Sequence, residues 1–465
     1  MDKKLLEDGA IAQATNKSNL SKFITGLSNF SVQYNFQAIA VALLLMTTAV
    51  CTTDDDKCKQ GKQASWVAST ASAVVFTGAI FGQLSMGYLG DLIGRNKAMT
   101  LTLLIAAISA MLSSAASQGS SDTIYVIIIV FRFLLGVGLG GVYPLSAVKS
   151  AEDSGDELHG PNILATSWTF FWQSPGAVAP WIVAYFLTYN EHMSDNTKWR
   201  LVLGIGSIPA AFVVMGSIYE TYYTQNRSKN LTSNSFNKVD LWESLQDPVN
   251  RRNLVATGLG WFIYDVAYYG MSLFGSSILE ELSNSDDVVS TSAIRNIIMQ
   301  QMIAISTGIP ALVLSIYSLK YLGTKWLQIS GFIIIAVSFI LLAVLIVPLK
   351  NEPNALFAVY CILLFALNFG PNLTTFVLPA ETYPKRIRAS YNGMSAACGK
   401  IGAAIGAAIF GALSVVCSYS VIMILCAILS LIGAIVSYYF IGNDDRRGSD
   451  YLIVNLDDEE DVEKI

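Results

Sequence analysis

Two side chains in this sequence carry charge that their surroundings do not explain. Asp265 sits in the middle of Gly258–Phe274, "GLGWFIYDVAYYGMSLF", a run otherwise free of charge. Lys400 sits in "GMSAACGKIGAAIG", among glycine, alanine and serine. A charge at the centre of an apolar span is costly, and it persists where it faces a bundle interior or a water-filled path. Trp261, Asp265 and Tyr269 recur every four residues, so one helical face presents an indole, a carboxylate and a phenol. Such a face can bind a polar solute and exchange a proton with it; the plainer reading is a hydrogen bond that packs helices. Lys400 likewise reads either as a structural partner for Asp265 or as a direct ligand for an anion. Asn372 adds an amide inside another apolar run, in "NFGPNLTTFVLPAE".

These groups need apolar helices to hold them. Of the 465 residues, 53% are hydrophobic and only 14% charged, against about 25% charged in a soluble chain. Mean hydropathy is +0.49. The apolar runs predict an all-α membrane protein of twelve spans. The first six cover 24–50, 64–89, 98–117, 123–149, 163–188 and 199–220. The second six cover 253–280, 294–318, 327–349, 355–379, 392–414 and 419–441. Lysines and arginines gather before the first span, at Arg95 and Lys97, in 221–252, at Lys385, Arg386 and Arg388, and at Arg446 and Arg447. The alternation places both termini in the cytoplasm. The chain then divides into a tail (1–22), a six-helix half (23–220), a cytoplasmic loop (221–252), a second half (253–441) and an acidic tail (442–465). The N-terminus has no signal-peptide core, so the tail is expected to remain.

The turn after the second span reads Gly87-x-x-x-Asp91-x-x-Gly94-Arg95-x-Lys97, with a degenerate copy, "LKYLGTKWLQ", after the eighth. The pair points to a six-plus-six repeat with a site at the midplane between halves. Glu152 is expected to join Asp91 and Arg95, and Glu381, Lys385 and Arg388 to repeat that cluster, as gate-closing or structural groups. Gly136, Gly138, Gly140 and Gly141 give the fourth span a smooth face for close helix approach. Six cysteines show no metal-ligand spacing, and no cofactor motif is present. Cys51 and Cys58 bracket "CTTDDDKC", where a disulfide fits if that loop is exoplasmic. No basic tract with aromatics suggests nucleic acid. The two histidines, His159 and His192, lie in loops with no nucleophile beside them, so an enzyme is not expected.

Three stretches resemble the phosphate:proton symporters of the major facilitator superfamily: "GPNLTTFVLPAE" with "GMSAACGKIGA", "WFIYDVAYYGMSLF", and "GGVYPLSA". The glycine-rich turn fits the superfamily's loop motif, with Leu92 at its basic position, and the similarity runs from Lys22 to about Ile441. The resemblance implies phosphate contacts at Tyr143, Gln173, Trp261, Asp265, Tyr269, Asn372 and Lys400. It also implies two further aspartates on a proton path facing Arg132, which belongs with the charged gating groups. This chain has Asn35 and Val142 there, while Arg132 is kept. Arg132 and Lys400 against Asp265 leave the interior at a formal +1, so an anion is welcome.

The reading is a multi-pass transporter, expected in the plasma membrane, that moves inorganic phosphate by alternating access, proton-coupled through Asp265 or uncoupled. Its rivals are a carrier of another organic anion, organophosphate or sugar, and a non-transporting nutrient sensor. The expected partners are the anionic solute, protons and the lipid bilayer.

Overall fold

The computed structural model describes residues 2–49, 65–153, 161–228, 241–273 and 291–442, and no strand occurs among them. Cys51, Cys58 and the acidic tail beyond residue 442 lie outside the described residues.

The first half begins with α1 (Asp2–Ala49), α2 (Ser65–Ile93), α3 (Arg95–Ala115) and α4 (Ser121–Asp153). Next come α5 (Ile163–Phe171) and α6 (Gln173–Leu187), one rod interrupted at Trp172. A second interrupted rod, α7 (Asp195–Ile205) and α8 (Ser207–Ser228), breaks at Gly206. In the second half, α9 (Leu241–Gln246) and α10 (Pro248–Leu254) lead through a π-helical turn, Val255–Leu259, into α11 (Gly260–Leu273). There follow α12 (Thr291–Ser306), α13 (Gly308–Leu345), α14 (Pro353–Asn368), α15 (Pro371–Thr382), α16 (Arg388–Val416) and α17 (Tyr419–Phe440).

Within the described residues, each apolar run predicted from the sequence falls on a helix or an interrupted pair of helices, and 274–280 of the seventh run lie outside them. Among the described residues, nine helical stretches are long and apolar enough to cross a bilayer, and the chain is an integral multi-pass membrane protein. One stretch, Ser292–Leu345, turns at Gly323, whose φ of 67° is a left-handed value that suits glycine, so it serves as two of the twelve expected spans. The first helix differs from expectation. It starts at Asp2, inside the segment read as a tail, because "DKKLLEDGAIAQA" is rich in good helix formers and has no proline. Its membrane-length part is Asn19–Thr47.

Glycine sets how the rods lie. A Cβ added at Gly78 would meet the carbonyl oxygen of Phe133 at 2.1 Å, and one at Gly136 would meet that of Val75 at 2.1 Å, so α2 and α4 touch backbone to backbone. The same device joins the halves. A Cβ at Gly393 of α16 would fall 2.3 Å from the carbonyl oxygen of Gln83, and one at Gly87 would fall 2.7 Å from that of Ala389. Small residues are what permit such approach between helices in lipid.

Candidate functional site

The π-helical turn inserts an extra residue just before α11, and such turns re-aim the face that follows. It is pinned by Thr257, whose hydroxyl hydrogen-bonds with the Tyr383 hydroxyl at 2.9 Å and with Ser395 Oγ at 2.7 Å. Trp261, Asp265 and Tyr269 then point inward, each at most 3% exposed. Opposite them, α16 carries Lys400. Its Nζ donates to Asp265 Oδ2 at 2.8 Å and to the Tyr269 hydroxyl at 3.1 Å. Glycines explain how a lysine helix comes so near. A Cβ at Gly399 would meet Trp261 Cδ1 at 2.5 Å, one at Gly402 the Phe262 carbonyl oxygen at 2.3 Å, and one at Gly406 the Val266 carbonyl oxygen at 2.4 Å.

Both halves supply rings. The Lys400 ammonium lies 4.3 Å from the ring centre of Tyr269 in the second half, and 4.9 Å from Tyr143, 5.6 Å from Phe36 and 5.8 Å from Phe76 in the first. Tyr143 also meets Trp261 edge-on at 6.0 Å and Phe376 at 6.2 Å. The structure therefore gathers Lys400, Asp265, Tyr269, Tyr143 and Trp261, the last hydrogen-bonded to Asp265 and packed on Tyr143. Phe36 and Phe76 escaped the sequence reading, since a phenylalanine in an apolar span carries no signal of its own.

Gln173 and Asn372 stand at helix interruptions and bond elsewhere. Gln173 Nε2 donates to Asn29 Oδ1 at 2.7 Å, its Oε1 accepts from Gln33 Nε2 at 3.1 Å, and Asn29 Nδ2 donates to Ser146 Oγ at 3.0 Å. Asn372 follows the break at Gly370, whose φ is 78°, and donates to Asn368 Oδ1 at 2.8 Å. Interrupted helices near the midplane are where secondary transporters build their sites.

Arg132 is placed apart from the other charged groups. It is 1% exposed, donates to the Asn35 carbonyl oxygen at 2.7 Å, and has no carboxylate partner among the described residues. Its Nε is buried without a hydrogen-bond partner. Arg132 and Glu152 are twenty positions apart on α4, roughly 30 Å at 1.5 Å per residue. Grouping Arg132 with the gating charges is therefore corrected by simple helix geometry. Asn35 Nδ2 donates to the Gly206 carbonyl oxygen at 3.0 Å, which ties α1 to the α7–α8 break. Val142 is fully buried.

Asp91, Arg95, Glu152 and Arg388 meet at one end of the bundle and cross between halves. Arg95 lies 3.0 Å from Asp91 and 3.3 Å from Glu152, and Glu152 lies 3.4 Å from Arg388 of the second half. Asp91 Oδ2 accepts from the Ser390 backbone N–H at 2.8 Å and hydroxyl at 2.6 Å, while Arg95 donates to the Lys385 carbonyl oxygen at 3.0 Å. Glu381 accepts from Thr324 Oγ1 at 2.7 Å. At the opposite end, Arg295 of α12 donates to the Thr188 carbonyl oxygen at 2.9 Å and stacks over Tyr189 at 3.9 Å. Contacts between the halves are therefore present at both ends. Replacing Glu152 with Gln removes the charge shared by Arg95 and Arg388. The expected outcome is a shift of about 1 kcal/mol, several-fold in population, toward opening at that end. Spin labels at positions 96 and 386 read it as a longer distance; an unchanged distance distribution would contradict it.

The family described as sugar (and other) transporter matches residues 22–244 and 220–441. Over 442 residues the chain is 36% identical to the inorganic phosphate transporter PT2 of Toxoplasma gondii, covering 94% of this chain and 75% of the relative. It is 28% identical to the low affinity inorganic phosphate transporter 4 of Lotus japonicus, covering 83% and 81%. The proton:xylose symporter XylE, solved with 6-bromo-6-deoxy-D-glucose, superposes with a TM-score of 0.70 at 16% identity, covering 92% of this chain and 96% of XylE.

Proposed function

Because this chain belongs to the sugar (and other) transporter family within the major facilitator superfamily, we propose that it carries inorganic phosphate across its membrane by alternating access. The observation that bears the reading is the Lys400–Asp265 pair, 2.8 Å apart, buried between the halves and ringed by hydroxyl and indole groups. The relatives' names, inorganic phosphate transporters, give the solute. A phosphate entering there exchanges its hydration shell for a fixed set of donors. Lys400 supplies a compact positive charge. The Tyr269 and Tyr143 hydroxyls and the Trp261 indole N–H donate around the oxyanion. Gln173 and Asn372, released from their amide partners, complete the set.

Asp265 has the opposite task. A carboxylate beside phosphate repels it when both are ionised; it accepts a hydrogen bond from a protonated phosphate oxygen and donates one when it bears the proton itself. Binding of the anion therefore goes together with one proton shared between Asp265 and phosphate. On this reading coupling rests on Asp265 alone, since Asn35 and Val142 cannot titrate. Two halves, 23–220 and 253–441, rock about the site, joined by 221–252. The charged cluster Asp91, Arg95, Glu152 and Arg388 closes the cytoplasmic end, with both termini on that side, and the plasma membrane is the expected location.

The direct test uses purified full-length protein in proteoliposomes and labelled phosphate. Saturable uptake competed by unlabelled phosphate, and not by sugars or organic anions in equal excess, is expected. Uptake of a sugar or organic anion that phosphate does not compete would overturn the assignment.

A further inference from the structure

The rings around Lys400 come from both halves. Lys400 lies on α16, and Asp265 and Tyr269 lie on α11, all in the second half. Phe36, Phe76 and Tyr143 lie on α1, α2 and α4 of the first half. Phe36 and Phe76 also pack on each other at 5.3 Å, and Phe76 packs on Tyr269 at 4.5 Å, so the four rings form one box. In this conformation the ammonium has a carboxylate 2.8 Å away and first-half rings 4.9 to 5.8 Å away.

We infer that Phe36 and Phe76 are positioning residues for the unloaded transporter: they shelter the Lys400 ammonium when no anion is bound, and so set the rate at which the empty carrier passes through occlusion. The inference rests on the phosphate reading above. Its physical basis is the aromatic quadrupole, whose negative face attracts a cation and repels an anion. With phosphate in place, the anion occupies the space between Lys400 and the first half, and the ring faces contribute nothing favourable. With the site empty, closure would press Lys400 against a bare apolar wall; the rings replace part of the hydration that closure removes. The rings therefore act on the return step, not on the loaded step.

Two kinds of transport separate those steps. Net uptake into phosphate-free vesicles requires the empty carrier to return, whereas exchange of labelled for unlabelled phosphate cycles only through loaded states. Phe36→Leu/Phe76→Leu keeps the apolar character and removes the quadrupoles. It is expected to lower net uptake about five- to tenfold while phosphate exchange stays within about twofold of the unmodified protein. A second series keeps shape nearly constant: stepwise fluorinated phenylalanine at position 76, which drains the ring face, should lower net uptake in step with fluorination and spare exchange. Equal loss of uptake and exchange in both series, or no loss of uptake in either, overturns the inference while leaving phosphate as the solute. An unmodified protein that neither exchanges nor takes up phosphate overturns the phosphate reading and this inference with it.

Discussion

Lys400→Ala is expected to abolish measurable phosphate binding while the protein still folds. The substitution removes the cation paired with Asp265 and leaves a carboxylate 2% exposed without that partner. Breaking one side of a buried ion pair costs about 3–5 kcal/mol. A phosphate anion brought beside that unpaired carboxylate meets repulsion in place of attraction, so affinity should fall by about two to three orders of magnitude, at roughly 1.4 kcal/mol per tenfold. Titration calorimetry in detergent reads the affinity, and thermal unfolding reads the stability. Two companions separate the causes. Lys400→Ala/Asp265→Ala removes both charges, should recover most of the lost stability, and should still bind no phosphate. Lys400→Arg keeps the charge but presents a planar fork where a compact ammonium sat, and partial rescue is expected. Phosphate affinity unchanged in Lys400→Ala would remove Lys400 from the ligand set.

Asp265→Asn separates binding from coupling. Asparagine keeps the shape and loses the titratable group, and the Lys400 ammonium then faces the site without a counter-charge. Phosphate should bind at least as tightly as before, and exchange of labelled phosphate should persist. Accumulation driven by an inward proton gradient should vanish, a loss of at least about tenfold against the unmodified protein. Proteoliposomes with an imposed pH difference make the measurement. Gradient-driven accumulation that survives in Asp265→Asn would show that another group carries the proton, and Asp265 would be left as a ligand only.

Much of this site was legible in the sequence because lipid makes charge conspicuous. Asp265 and Lys400 stand out in apolar text, and the four-residue spacing of Trp261, Asp265 and Tyr269 already puts them on one face. Whether Lys400 pairs with Asp265 was open, since residues 135 positions apart meet only through packing; the glycines at 399, 402 and 406 decide it by letting α16 lie on α11. Phe36 and Phe76 could not be found, because in an apolar span a ring that boxes a cation reads the same as one that fills the core. Arg295 was missed for the converse reason, as its polar surroundings make a charge unremarkable. Gln173 and Asn372 were named, but their present partners depend on where helices break, at Trp172 and Gly370, and breaks are weakly encoded. The start of α1 at Asp2 shows the same limit at a helix end.

The ion pair described above has an electrical consequence. Lys400 and Asp265 sit together on the second half with charges that cancel, so this pair adds no net charge to the empty carrier's return. The voltage dependence the site contributes then enters with the loaded step. Across a membrane negative inside by about 100 mV, each uncompensated negative charge brought inward costs about 2.3 kcal/mol. Protons carried with the phosphate cancel that cost, and without them the same potential opposes inward movement of phosphate and favours outward movement.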